Sequence, residues 1–301
     1  MSDFIDVREG SSPLILSIPH GGTDLAPEVA ARLNETGLAV PDTDWWMARL
    51  YDFADDLDPT IVQTRLSRYV IDVNRDPSGA SLYPGQATTG LCPTTTFDGE
   101  PIYRAGMEPD EAEIARRRAA YFVPYHDTLQ AEIDRVRKRH GYALLYDCHS
   151  IRSVVPRLFE GTLPVFNIGT NAGKACAREI EAGVEAACAA ASLSHTPQPH
   201  PEEAAPAAVS KDGQQAGADP TPLSYSHVLN GRFKGGWITR RYGRPEHGVH
   251  AVQMELAIRA YAQEAPPWTY EPGRADPTRA VLRQALENML AAAARLYGGD
   301  R

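Results

Sequence analysis

Two histidines stand directly after apolar runs, and they are the first residues with a claim to chemistry. His20 lies in "SIPHGG" behind "PLILSI", and His149 lies in "ALLYDCHS" behind "ALLY". Short apolar runs bounded by turn formers read as buried strands. Both imidazoles then stand at strand carboxyl ends, the edge where open α/β sheets bind ligands. If the strands are neighbours, the two rings can share one metal ion. Hydrolytic zinc takes three protein ligands from His, Asp and Glu and keeps water in a fourth position. For the third ligand, "PDTDWW" offers Asp42 and Asp44, and Asp24 follows His20 closely. Asp44 is favoured as ligand and Asp42 as the cap of the helix expected there, with Asp24 the outside choice. His20 could instead be a hydrogen-bonded turn residue, and Asp147 could serve to orient a ligand imidazole.

Glu255, in "HGVHAVQMELA", ends a strand-like run among apolar neighbours. A partly desolvated carboxylate beside a metal suits general-base work, although alone it would read as an ordinary surface glutamate. His250 reads most simply as a satisfied core histidine. Arginines gather in "TRLSRYVIDVNRDP" (Arg65, Arg68, Arg75) and in "GRFKGGWITRRYG" (Arg232, Arg240, Arg241, with Lys234). The guanidinium fork binds carboxylates bidentately, so these stretches suggest an anionic small molecule. Solvated ion pairs worth at most about 1 kcal/mol are the alternative use.

The elements that must position these groups alternate from end to end, which favours one α/β unit over residues 1–301. Strands are expected at residues 14–18, 60–63, 69–73, 143–147, 163–168 and 249–255. Helices are expected at 27–33, 44–54, 109–140, 172–191 and 278–297, the long one broken or kinked at Pro124. Several strands are apolar at nearly every position, as when helices cover both faces of a sheet. Residues 77–106 are rich in Gly, Pro and Thr and read as a functional loop. Residues 196–222, "TPQPHPEEAAPAAVSKDGQQAGADPTP", have the composition of a mobile surface insertion.

Composition narrows the partners. The chain has 301 residues, is 43% hydrophobic and carries a formal charge of −9, which argues against nucleic acid or an anionic membrane surface. No apolar run reaches the roughly 20 residues of a membrane span, and the N-terminus lacks a secretory signal pattern. A cytoplasmic protein is expected. The four cysteines form no CxxC pair, so a thiolate zinc site of the usual spacing is absent. Neither GxGxxG, a P-loop nor GxSxG occurs.

Taken in order, "SIPHGGT", "PDTDW", "SRYVIDVNR", "LYPGQATTGLCPTTTFDG", "YALLYDCHSIRS", "SHVLNGRFKGGWITRRYG" and "HAVQMELA" closely resemble the N-formylglutamate amidohydrolase family over residues 13–261. The resemblance implies a zinc-peptidase-like (phosphorylase/hydrolase-like) α/β fold, a mixed sheet flanked by helices on both faces. It implies one divalent metal, zinc, held by His20, His149 and an acidic third ligand best matched by Asp44. It makes Glu255 the general base and acid, and Arg75, Arg232, Arg240 and Arg241 the clamp for two substrate carboxylates. The implied reaction is N-formyl-L-glutamate plus water to L-glutamate and formate, the last step of one histidine-degradation route. A zinc deacylase of another N-acyl amino acid or small amide is the alternative. The segment 196–222 departs from the family pattern just before a substrate-binding stretch.

Overall fold

A computed structural model describes residues 3–82, 85, 87–194 and 225–298. The expected insertion at 196–222 lies outside the described residues. Seven strands, β1 (Ile5–Arg8), β2 (Leu14–Ile18), β3 (Thr60–Thr64), β4 (Ala143–Ile151), β5 (Phe166–Gly169), β6 (His227–Leu229) and β7 (Val249–Ala257), form one sheet. Its order is β1-β3-β2-β4-β7-β5-β6. The central strands β3, β2, β4 and β7 run parallel, while β1 and the β5–β6 pair run against them. The helices are α1 (Pro27–Ala30), α2 (Glu35–Leu38), α3 (Met47–Leu50), α4 (Glu111–Arg117), α5 (Val123–His140), α6 (Arg178–Ser194), α7 (Trp237–Tyr242) and α8 (Pro272–Tyr297).

Side-chain alternation along a strand explains how a buried sheet can carry a polar site. Leu144, Tyr146 and Cys148 of β4, with Val252, Met254 and Leu256 of β7, join the core under α6 and α8. The opposite parity begins apolar, with Ala143, Leu145, Val249 and Ala251 packed in the core that holds Leu129 and Ile133 of α5. It then turns polar at the carboxyl ends, as Asp147 and His149 in β4 and Gln253 and Glu255 in β7. Parallel register sets Asp147 beside Gln253 and His149 beside Glu255. One face of two adjacent strands is thus core for half its length and site for the rest.

Three expectations about elements are corrected. Residues 69–73 are a turn rather than a strand. Their apolar side chains are divided between two cores, and the buried guanidinium of Arg117 takes the carbonyls of Tyr69 and Val70 at 3.4 and 3.2 Å. Those carbonyls find their donors without a neighbouring strand. The helix expected at 44–54 starts only at Met47, because Trp46 holds a left-handed backbone (φ 65°). Asp42 therefore caps no helix: it accepts from Tyr69 Oη at 2.7 Å and Phe97 N at 2.8 Å. Burial raises its pKa to about 6. The interruption expected at Pro124 is a π-helical turn at Arg118–Phe122, just ahead of α5, which accommodates the missing proline N–H without ending the helical run.

The glycines after His20 also have a structural reason. A Cβ on Gly22 would fall 2.3 Å from the backbone carbon of Arg65, where Asp24 N bonds Arg65 O at 2.8 Å. Close backbone approach, rather than substrate access, requires that thin chain. Gly22→Ala is expected to destabilise the protein by about 1–3 kcal/mol or more, read as a lowered midpoint in chemical denaturation. Among the described residues no helix is long and apolar enough to cross a membrane.

Candidate metal-dependent active site

The two strand-end histidines meet, as their types suggested. β2 and β4 are hydrogen-bonded neighbours, and His20 Nδ1 lies 3.2 Å from His149 Nδ1. Asp44 Oδ2 lies 3.3 Å from His149 Nδ1 and 3.8 Å from His20 Nδ1. The loop carrying Asp44 is tied to the first histidine by Asp44 N donating to His20 O at 3.0 Å. Of the three acidic candidates only Asp44 joins the pair, and these three residues could hold a metal ion. Asp24 is exposed and pairs with Arg65 at 3.7 Å.

Accounting for protons tests whether a cation fits. His20 Nε2 faces Asp72 Oδ1 at 2.7 Å, and His149 Nε2 faces Asp147 Oδ2 at 2.8 Å. An ionised carboxylate only accepts, so both Nε2 atoms carry hydrogen. In the neutral rings both Nδ1 atoms are then lone pairs, aimed at one another and at an anionic oxygen. Three converging acceptors repel unless a proton or a metal cation lies between them. Tetrahedral zinc with ligands at roughly 2.0–2.1 Å separates its donor atoms by about 3.3–3.4 Å; the spacings of 3.2 and 3.3 Å fit that shape, and the third, His20 to Asp44, is wider at 3.8 Å. Carboxylates behind both imidazoles supply the usual outer support.

Electrostatics agree. Burial alone would raise Asp72, but Arg75, His20 and Arg68 outweigh it and hold the carboxyl far below its ordinary value. Burial likewise pushes Asp44 up, and Arg68 with the two imidazoles reverses this, so the group stays anionic. Burial and then Arg68 lower His20 against the pull of Asp72, which favours the neutral ring. For His149 burial works against charge, yet Asp147, Asp44 and Glu255 overcome it and hold its pKa well above the ordinary value. The site attracts positive charge.

A cavity of about 210 Å³ opens onto this cluster, lined by His20, His149, Glu255, Arg68, Arg75 and Arg232 among others. Burial is the main cause that lifts Glu255 to about 7, with His149 opposing and Asp44 reinforcing. Arg75 bonds Thr89 through O at 3.2 Å and Oγ1 at 2.9 Å. Arg232 bonds Leu158 O at 2.9 Å and Ala87 O at 3.0 Å. Arg240 and Arg241 do not line the cavity. Arg240 turns back to Gly235 O at 2.9 Å, and the exposed Arg241 lies over the Tyr242 ring. Adjacent residues on α7 cannot all point the same way.

Sequence reasoning gave Arg68 no specific role. It is buried, pairs with Asp44, stacks over Phe97 at 5.0 Å, and leaves its Nε without a partner. Asp72 and Asn74 were also missed. The period-two polar run "IDVNR" was the available signal, hidden by the strand reading of the same residues. Asn74 Nδ2 donates to Asp147 Oδ2 at 3.3 Å and lies 3.0 Å from His149 Nε2, so two donors converge on one oxygen.

Behind this loop, His126 bonds Val73 O through Nε2 and Tyr242 Oη through Nδ1, both at 2.8 Å. Burial lowers its pKa to about 4. A depressed histidine keeps its stabilising effect above the unfolded pKa of about 6.5 and loses it as pH falls towards 4. Thermal melts are expected to show that loss, and His126→Gln to flatten the slope between those pH values.

A sequence model of the N-formylglutamate amidohydrolase family matches residues 12–262. The chain is 46% identical over 291 residues to the N-formylglutamate deformylase of Pseudomonas aeruginosa, covering 97% of each. It is 42% identical over 297 residues to that of Pseudomonas putida, covering 99% of each. Its fold is similar to the crystal structure of an N-formylglutamate amidohydrolase from Ralstonia eutropha, with TM-score 0.70, 18% identity and coverage of 98% and 99%. A gene product of Agrobacterium tumefaciens follows at TM-score 0.61 and 19% identity, covering 96% and 95%. A donor triad and a desolvated carboxylate in one arginine-lined cavity thus stand in a chain that belongs to the N-formylglutamate amidohydrolase family.

Proposed function

We propose that the protein is a metal-dependent N-formylglutamate deformylase, hydrolysing N-formyl-L-glutamate to L-glutamate and formate. The observation that carries this reading is the meeting of Glu255, the His20–Asp44–His149 donors and two cavity arginines around one small space. Two imidazoles and one carboxylate form the nitrogen and oxygen donor set that zinc takes in hydrolytic sites. The curated relatives bearing the deformylase name match over nearly the whole chain. The reading includes zinc as the resident ion, a place in histidine degradation and a cytoplasmic setting.

His20, Asp44 and His149 would hold the ion, which when bound supplies Lewis acidity to the formyl oxygen and makes water a better acid. Glu255 takes the proton from the attacking water as the new C–O bond forms. As the C–N bond breaks, the same carboxyl returns that proton to the departing amine nitrogen, so the amine leaves neutral together with formic acid, which gives up its own proton to solvent as formate. Arg68, which pairs with Asp44 and lines the cavity, supplies positive charge beside the developing oxyanion. Arg75 and Arg232 would receive the two substrate carboxylates, exchanging loop carbonyls for charged acceptors.

The test combines metal analysis with formate release from N-formylglutamate, N-formylaspartate and N-acetylaspartate. One bound zinc and a clear preference for N-formylglutamate are expected. A preference for the acetyl compound would favour a deacylase of another N-acyl amino acid. No hydrolysis with tight glutamate binding would favour a non-catalytic binding protein.

A further inference from the structure

The carboxylate of Glu255 accepts one hydrogen bond among the described residues, and its donor is Gln253 Nε2 at 3.1 Å. Gln253 is 3% exposed, lines the same cavity, and sits two residues earlier on the same face of β7. Its other amide atom, Oε1, accepts Gly236 N–H at 2.7 Å. Chemistry sets the orientation of this carboxamide. A backbone N–H only donates, so the oxygen must face Gly236, and the NH2 group must then face the carboxylate, which when ionised only accepts. Glutamine suits this place because one side chain must accept at one end and donate at the other.

Asn74 repeats the arrangement at the start of α7. Its Oδ1 accepts from Ile238 N at 2.8 Å, and its Nδ2 donates to Asp147 Oδ2 at 3.3 Å. Asp147 in turn faces His149 Nε2 at 2.8 Å. A Cβ on Gly236 would fall 2.4 Å from Asn74 Nδ2, so the chain is pressed between the two carboxamides. The backbone at the start of α7 is therefore a common anchor. Through Gln253 it reaches Glu255, and through Asn74 it reaches the support of His149. Arg232, which lines the cavity, lies four residues before Gly236.

We infer that Gln253 is a positioning residue for the reaction: it ties Glu255 to the backbone of Gly236 and aims the carboxylate's free oxygen into the cavity. The inference rests on the reading of Glu255 as the proton acceptor. With the tether intact, one carboxylate oxygen is occupied and the other is presented to water. Without it, the carboxylate rotates about its side-chain bonds and spends less time in the reactive pose.

Two variants test this, with steady-state kinetics on N-formylglutamate, metal content and thermal melts measured for each. Gln253→Met keeps length but offers no amide. It is expected to lower kcat roughly 10–100-fold, the rate equivalent of one hydrogen bond to a charged group. KM should stay within about threefold and metal content at the wild-type level. Gln253→Glu keeps the shape and the acceptor for Gly236 but sets an acceptor against Glu255, so its kcat should fall at least as far. A merely structural glutamine predicts near-wild-type kcat in Gln253→Glu, and that result would overturn the proposal. So would a raised KM at unchanged kcat, or failure of both variants to fold. If only Gln253→Met fails to fold, Gln253→Glu decides. An active wild type with unaffected variants removes the positioning role alone. A wild type that releases no formate removes the deformylase reading and the positioning role with it.

Discussion

Glu255→Gln is expected to lower turnover of N-formylglutamate by on the order of 10²–10⁴-fold, the contribution of a well-placed general base. The donor triad is untouched by the change, so metal content should equal that of the wild type. The pH profile supplies a second, independent signature. A base acts in its ionised form, and burial holds Glu255 at about 7. The wild-type rate should therefore climb as pH rises through the pKa of Glu255, which a bound cation pulls below that value, and level off above it. The variant should lose this acid limb while its residual rate stays low at every pH. Stability moves the other way. A carboxyl whose folded pKa is raised stabilises the fold below its unfolded value and loses that contribution as pH rises through the folded one. At pH 8 the wild type thus carries a buried charge that the amide avoids, and Glu255→Gln should melt no lower than the wild type. Undiminished turnover with full metal content would sink the assignment.

His149→Ala should have the other large effect, through the ion. The substitution removes one of three converging donors and leaves the buried Asp147 facing an empty space in place of Nε2–H. Losing only an outer partner of a metal ligand costs roughly 10–100-fold in affinity, and losing the ligand itself should exceed that. Metal analysis after dialysis is expected to show substoichiometric zinc, with formate release down by more than about 10²-fold at ordinary zinc concentrations. The conservative contrast is Asp147→Asn, which keeps the ligand and weakens its support, so added zinc should restore more of its activity than it does for His149→Ala. Full zinc occupancy in an inactive His149→Ala protein would remove His149 from the donor set.

How far the sequence anticipated this site differs residue by residue. His20 and His149 were legible because a strand ending in a polar residue is a local pattern, and strand carboxyl ends are where such sheets put their ligands. The parity change along "ALLYDCHS" was legible too, once the strand was known. The choice among Asp24, Asp42 and Asp44 was not. All three lie near suitable elements, and what separates them is a long-range contact: Arg68 and Ser150 N reach Asp44, whereas Tyr69 and Phe97 N reach Asp42. The turn at 69–73 was misread for a related reason. Its residues have strand composition, and only the distant Arg117 shows where its carbonyls find donors.

The arginines teach the same distinction. Their number suggested an anionic ligand, but three of them share one glycine-rich stretch and three another, strand-like one, and composition cannot say which way each points. The short helix α7 turns Arg240 and Arg241 away and leaves Arg232 at the cavity, while the fold brings Arg75 and Arg68 from 157 or more residues earlier in the chain to meet it. By itself the sequence determined the types of chemistry present, the strands that would carry them, and the family to which the chain belongs, because these are written in residue type and short-range period. The tertiary structure alone decided which aspartate joins the two histidines, which arginines line the cavity, and that Gln253 and Asn74 hold these residues to a single turn of backbone. Those facts depend on contacts between residues far apart in the chain, and no local pattern encodes the direction in which a buried side chain finds its partner.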